Sequence, residues 1–322
     1  MQVARYDKAD AEAWDALVDS SSSTTFQHSR RFLDYHGERF RDASLTFRDN
    51  GRLIAVWPAA AGGQGEVVSH PGAVHGGLVA SDKLVRAGRV EEVVVEALRS
   101  WSVDFDRYVH KTVPHALVPV VEETSEYWLR RNGATTTRCD LWNVLSLNST
   151  ARRGSGIKDN LRIARKAGLR AARLTSVDVD DFYQLLASCL DERHDATPVH
   201  SEMEVADLQH RLGDRQTLWG ARNAEGNLLA ATWVFHYTNA SHTQYIASTS
   251  DGRRQGAPAA VIAAAVDHCR ERGDQYLSFG ASTTEAGRVL NAGLFRFKAG
   301  FGAAGLLHRH LTLELKHMTV HR

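Results

Sequence analysis

A lysine stands between aromatic residues in the run Gly293-Leu294-Phe295-Arg296-Phe297-Lys298-Ala299-Gly300-Phe301-Gly302. An ammonium fixed in this way can face negative charge as it develops on a reacting oxygen, and flanking glycines let a backbone approach closely. The spacing predicts a loop here. A second candidate is Asp251-Gly252-Arg253-Arg254-Gln255-Gly256-Ala257-Pro258, at the passage from a strand into an alanine-rich helix. Glycine lets amides turn outward and a helix amino terminus carries partial positive charge, so the junction suits a pyrophosphate; it equally suits a plain glycine turn before a helix that begins with proline. The third is the most basic stretch, where Arg152, Arg153, Lys158, Arg162, Arg165, Lys166, Arg170 and Arg173 stand against Asp159 alone. On a helix Lys158, Arg162, Arg165 and Lys166 share one face, which can neutralise successive phosphates or simply be solvated.

Making an amide from an activated ester or thioester needs an oxyanion stabiliser and an unprotonated amine, with no covalent intermediate. One cation with strand amides meets that need. Asp191, Glu192 and His194 are candidate bases, and water is another. Trp233, Phe235, Tyr237 and Tyr245 suit either an acyl pocket or the core. Among 16 histidines, His308 and His310 share a strand face and His317 and His321 have i, i+4 spacing. No carboxylate or cysteine completes either pair in sequence, so no metal is expected.

These residues need elements to hold them. Trp14, Leu17 and Val18 mark a first helix, and Arg30 to Phe40 a second. Two strands, Ala43 to Phe47 and Leu53 to Pro58, flank the hairpin signal Asp49-Asn50-Gly51; Gly62 to Gly77 reads as loop and Lys83 to Trp101 as one helix. Strand 107–110, helix 122–132 and strand 135–147 follow. The polar stretch Asn148 to Gly156 has no apolar period and marks a junction near Thr150, giving domains 1–149 and 150–322. Beyond it the pattern predicts helix 158–167, strand 170–174, helix 178–194, helix 208–212, strands 217–221, 228–235 and 237–249, helix 258–272, strand 276–279, helix 286–292 and strand 306–315. Both halves run helix pair, strand hairpin, helix, strand, helix and strand, an order that favours a tandem α+β architecture.

Length allows two domains at roughly 150 residues each, so neither disulfides nor a metal is needed for a core. Hydrophobic residues at 43% and charged residues at 24% exclude disordered, collagen-like and coiled-coil classes. Lysine plus arginine (39) against aspartate plus glutamate (38) leaves +1, so any basic surface is local. The amino terminus lacks the apolar core of a signal peptide and Ala257 to Val266 is too short to span a bilayer. Three widely spaced cysteines fit neither a disulfide framework nor a zinc motif. A cytoplasmic protein without membrane association is expected, its oligomeric state open.

Phe297-Lys298-Ala299-Gly300-Phe301-Gly302 resembles the F-K-x-G-F-G signature of the Fem aminoacyltransferases, which move an amino acid from aminoacyl-tRNA to an amine. The helix Asn160-Leu161-Arg162-x-Ala164-Arg165-Lys166-x-Gly168, Leu229-Ala230-Ala231, and Gly273 before Tyr276-Leu277-Ser278-Phe279-Gly280 also resemble the BioF2-like acetyltransferase branch of the Gcn5-related superfamily. The likeness covers roughly residues 150 to 305. In the first half Thr25-Phe26-Gln27-His28-Ser29-Arg30-Arg31-Phe32 is similar to the F-x-Q-S-x-x-W opening of the first Fem domain. Arg253 and Gly256 match the R-x-x-G-x-G/A coenzyme A loop, with Pro258 in place of its last small residue.

The resemblance implies two tandem Gcn5-related N-acetyltransferase-like domains, each a mixed, mostly antiparallel sheet flanked by helices. It implies catalysis by Lys298 without a metal or tightly bound cofactor. Arg193, in Asp191-Glu192-Arg193-His194, is similar to a residue that holds a nucleotide-linked acceptor in the family. Arg193, Tyr245, Phe279, Arg296 and Phe297 are the expected substrate contacts. Lys158, Arg162, Arg165, Lys166, Arg253, Arg254 and Gly256 are the expected contacts to donor phosphate or tRNA. The expected reaction is aminoacyl transfer from aminoacyl-tRNA to the amine of a small molecule or peptide, with the first domain binding acceptor or bracing the second. Two alternatives stand beside it: an N-acyltransferase using acetyl-CoA or another acyl-CoA, and a non-catalytic scaffold that keeps the fold.

Overall fold

The computed structural model describes residues 1–150, 152–194 and 197–316. The chain first forms β1 (Gln2–Arg5), α1 (Ala11–Ser20), α2 (Arg30–Leu33), β2 (Leu45–Asp49), β3 (Arg52–Trp57), β4 (Ala60–Ala61), β5 (Glu66–Val68), β6 (Val79–Ala80), α3 (Asp82–Arg86), α4 (Val90–Ser102), β7 (Arg107–Lys111), α5 (Thr124–Arg131) and β8 (Thr135–Ser146). It continues through α6 (Ser155–Lys166), β9 (Arg170–Leu174), α7 (Val179–His194), α8 (Glu202–Leu212), β10 (Gln216–Arg222), β11 (Leu228–His236), β12 (Ala240–Ser248), α9 (Ser250–Arg254) and α10 (Ala257–Glu271). It ends with β13 (Tyr276–Ala281), β14 (Thr283–Thr284), β15 (Val289–Leu290), α11 (Ala292–Ala299) and β16 (Ala304–Glu314). Two compact units result. One comprises Met1–Asp140, Ala286–Arg288 and the chain from Leu307; the other comprises Leu141–Glu285 and Val289–Leu306.

In the first unit β1, β2, β3 and β6 form an antiparallel sheet, turned between β2 and β3 by Asn50 and Gly51, both at positive φ. A second set joins β4 to β5, β5 to β7 in parallel, and β7 to β16 from His310↔Lys111 to Glu314↔Arg107. Helix α4 buries Val90, Val93, Val94, Ala97, Leu98 and Trp101, its i, i+3, i+4 stripe, in a core that also holds Trp57, Tyr108, Leu311, Leu313 and Leu315.

In the second unit the strand order is β8-β13-β12-β11-β10-β9, antiparallel except for β12 beside β13. Trp233 meets Phe182 of α7, whereas its neighbour Val234 joins the core built on α10, the alternation of a strand covered on both faces. Alanines and other small side chains let α10 lie close to α6. Gly256, at φ +75, caps α10, and a Cβ there would come within 2.2 Å of the Asn160 carbonyl oxygen.

Several local expectations change. The helix expected over 30–40 stops at Leu33 and continues as a tighter turn interrupted at Gly37 (φ 55). The glycine-rich 62–77 contains β5, and the helix expected over 83–101 is two, parted at Gly88 (φ 70). No helix spans 286–292: β14 pairs with β15 across that turn. The run around Lys298 is helix α11 and not a loop, started by Asn291, whose side chain accepts from the Leu294 amide at 3.0 Å.

Candidate active site

The site begins where two parallel strands part. β12 and β13 pair at Ala240↔Tyr276, Ser241↔Leu277 and His242↔Ser278 and no further, although β12 runs on to Ser248 and β13 to Ala281. Each strand has a bulge just past the last pair. On β12 the register against β11 slips with Gln244 as the extra residue, and on β13 the register against β8 slips between Ser278 and Ala281. Gly280 takes φ +66 inside the second slip, and the Ser278 hydroxyl accepts from its amide at 3.2 Å. Bulges re-aim backbone groups, here along the opening between diverging strands.

Lys298 reaches this bulge from α11. Its ammonium donates to the carbonyls of Gly280 (3.1 Å) and Ala281 (2.5 Å), and the residue is 2% exposed. Burial pulls its pKa down to about 7, so near neutrality it holds its proton only part of the time. The flanking rings do not sandwich the ammonium. Phe297 and Phe301 pack edge to face at 5.4 Å, and Phe301 packs on Phe279 at 5.8 Å in the core.

A cavity of about 690 Å3 lies in the same unit, between α7, the β12 strand, the α9–α10 turn and α11. Tyr245, Arg253, Gly256 and Phe297 line it, so four of the expected contacts come together. The Tyr245 hydroxyl lies 2.8 Å from His200 Nδ1, and burial pushes its pKa up to about 12. Other expected contacts lie elsewhere. Phe279 is buried in the core, Arg296 is exposed on α11, and Arg254 is exposed and paired with Asp251 at 3.0 Å. Arg193 and His194 fall in the last turn of α7 and their side chains lie outside the described residues; Asp191 and Glu192 are exposed. Trp233, Phe235 and Tyr237 are core, and only Tyr245 of that aromatic set reaches the cavity.

The α9–α10 turn keeps its amides to itself. Thr249 takes those of Gly252 (2.8 Å, by its hydroxyl) and Arg253 (3.1 Å), while Gln255 and Gly256 donate to Asp251 (3.0 Å) and Arg253 (3.2 Å). The Arg253 guanidinium is held by the Ser248 carbonyl (2.8 Å) and the Ser250 hydroxyl (2.7 Å), and Pro258 has no amide to offer. On α6, Ile157 and Ala164 are buried while Lys158, Arg162, Arg165 and Lys166 are exposed. Arg162 pairs with Asp159 at 3.2 Å; Lys158, Arg165 and Lys166 have no ion-pair partner among the described residues. Arg152, Arg153, Lys158, Leu161 and Arg165 line a concavity of about 390 Å3.

Residues 151–298 match the family model of an acetyltransferase (GNAT) domain. That match falls almost wholly within the second unit. No curated protein matches the chain by sequence. Among solved structures it is similar to FemX (TM-score 0.67, 11% identity, 98% of each chain covered). It is also similar to L-PGS from Bacillus licheniformis (0.64, 12%, covering 98% of this chain and 94% of that one). A third is a tandem GNAT protein from the clavulanic acid biosynthesis pathway (0.56, 12%, 98% of each chain). At these identities the likeness is one of fold, and the whole chain has the tandem α+β GNAT fold.

The second unit's parted strands were invisible as a pair in the sequence, although one half left a mark. An isolated glycine inside a strand pattern, Gly280 after Ser278-Phe279, signals a bulge. Gln244 left no such mark. Cys189 and Leu186 of α7 also line the cavity, and their apolar helical spacing gave no reason to separate them from the core.

Proposed function

We propose that this GNAT-fold acyltransferase forms an amide on the amine of a small molecule or peptide, taking an amino acid from aminoacyl-tRNA. The acyl group occupies the opening beside β12 and the cavity lined by Tyr245 and Phe297, while Lys298 meets charge on the reacting carbonyl oxygen. The observation that carries the reading is the exposed face of α6, where Lys158, Arg165 and Lys166 have no partner among the described residues and a basic concavity adjoins them. Several phosphates along one ridge would use such a face. The first unit serves in this reading to bind the acceptor or to brace the second.

An acyl thioester is the second reading, favoured by Arg253 and Gly256 on the cavity wall. Four amides of that turn are already engaged, which weighs against a backbone cradle for a pyrophosphate. Binding of charged tRNA and of acetyl-CoA, each at low and moderate salt, tests the choice. The expected result is tRNA binding that weakens steeply with salt and falls at least about tenfold when Lys158 and Arg165 are both changed to Glu. Tight acetyl-CoA binding that this double change leaves alone would overturn the tRNA reading and establish the thioester.

A further inference from the structure

His308 and His310 alternate along β16, so both imidazoles leave one face of the strand. The fold supplies what the sequence around them lacks: Asp140 of β8 lies beside them, and one ligand atom from each of the three is within 4.8 Å of the others. All three belong to the first unit, with Asp140 and His308 buried and His310 half-buried. The imidazole planes cross at 76° with centroids 5.1 Å apart, so the rings converge and do not stack.

We propose that Asp140, His308 and His310 form a binding site for a divalent transition-metal ion, with two imidazole nitrogens, one carboxylate oxygen and water as ligands. Two imidazoles with a carboxylate suit zinc and its first-row neighbours better than the all-oxygen cations calcium and magnesium. Ligands about 2.0–2.2 Å from a shared ion sit up to roughly 4 Å apart, so a small closure of these side chains completes the set. The outer contacts are those of a ligand histidine. His308 Nε2 donates to the Thr112 carbonyl at 3.0 Å, which fixes the ring beside Asp140 and His310. Thr112 is itself tied to the strand, its amide (3.1 Å) and hydroxyl (3.0 Å) both donating to the Arg309 carbonyl.

Two cations stand near the site. Lys111 spends its ammonium on the carbonyls of His70 (3.2 Å), Pro71 (3.0 Å) and Ala73 (2.8 Å). Arg138 holds the Asp140 carboxylate at 2.7 Å and competes for it, but its side chain is 43% exposed and can leave for water. Bound metal would link β8 to the segment of β16 that returns from the far end of the sequence, and the half-buried His310 leaves a side open to solvent from which water would complete the ligand set.

The test titrates Zn2+ into the full-length, untagged, EDTA-stripped protein by calorimetry, with melting curves alongside. About one ion per chain is expected, with a zinc-dependent rise in melting temperature. His310→Ala, the half-buried member, is expected to weaken binding more than tenfold while still melting cooperatively in EDTA. Arg138→Gln removes the competitor and is expected to tighten binding several-fold. A His317→Ala/His321→Ala protein should bind as wild type. Absence of saturable binding, unchanged affinity in His310→Ala, or loss of binding in the His317/His321 variant would each overturn the site.

Discussion

A lysine with almost no exposure survives only if its polar atoms are satisfied, and Lys298 is tied to two carbonyls released by the bulge at Gly280. Those bonds favour the ammonium while burial opposes it, and burial wins by enough to bring the pKa to about 7. The group can therefore stabilise an oxyanion at low and neutral pH and loses that ability as pH rises through about 7. In the proposed reaction, deprotonation of the acceptor amine works in the opposite direction, so kcat/KM should pass through a maximum with its falling limb near 7. Lys298→Ala is expected to cost about 100- to 1,000-fold in kcat and to erase the falling limb. Initial rates from pH 5 to 10 on both proteins check this. A wild-type rate that climbs without a falling limb would mean that Lys298 only props the bulge.

Gly256 shows how one backbone position sets the distance between helices. It takes φ +75 at the start of α10, and a side chain there would drive a Cβ into the Asn160 carbonyl of α6. Gly256→Ala should lower the unfolding free energy by about 1–3 kcal/mol, read as a lower urea midpoint at unchanged m-value. It should also shift the basic ridge carried by α6, whereas Gly226→Ala, at positive φ with open space around it, should cost only the backbone strain. Much of this level was legible in the sequence. Asn50-Gly51 gave its hairpin, the Val90 to Trp101 spacing its helix, and the basic ridge its exposed face, because each rests on local chemistry. The run around Lys298 was not, since its glycines suggested a loop while the Asn291 cap and the tertiary burial of Lys298 and Phe301 make a helix and its end. The splay of β12 from β13 was hidden for a similar reason: it depends on which strands are neighbours, and the β12 bulge at Gln244 carries no residue type that demands it.

At the scale of the whole chain, contiguity in sequence and compactness in space part company. The first unit's sheet needs the returning end of the chain, because β16 pairs with β7 through residues His310 to Glu314. Leu311, Leu313 and Leu315, all nearly inaccessible, fill the core under α4 beside Trp101 and Tyr108. A fragment ending at residue 149 would keep Trp57, Trp101 and Tyr108 yet leave the edge of β7 open and three leucine sites empty. Each such leucine is worth about 2–5 kcal/mol when reduced to alanine, and the sum approaches the entire stability of a domain of this size. Residues 1–149 alone should therefore show no cooperative urea transition, with dispersed amide resonances absent. Adding a peptide that spans residues 304–316 in excess should restore both, because it supplies the missing strand and its leucines in the register that the chain uses. A cooperative transition in the fragment alone would mean that the core beneath α4 closes without β16, and that the three leucines cover a nucleus already stable.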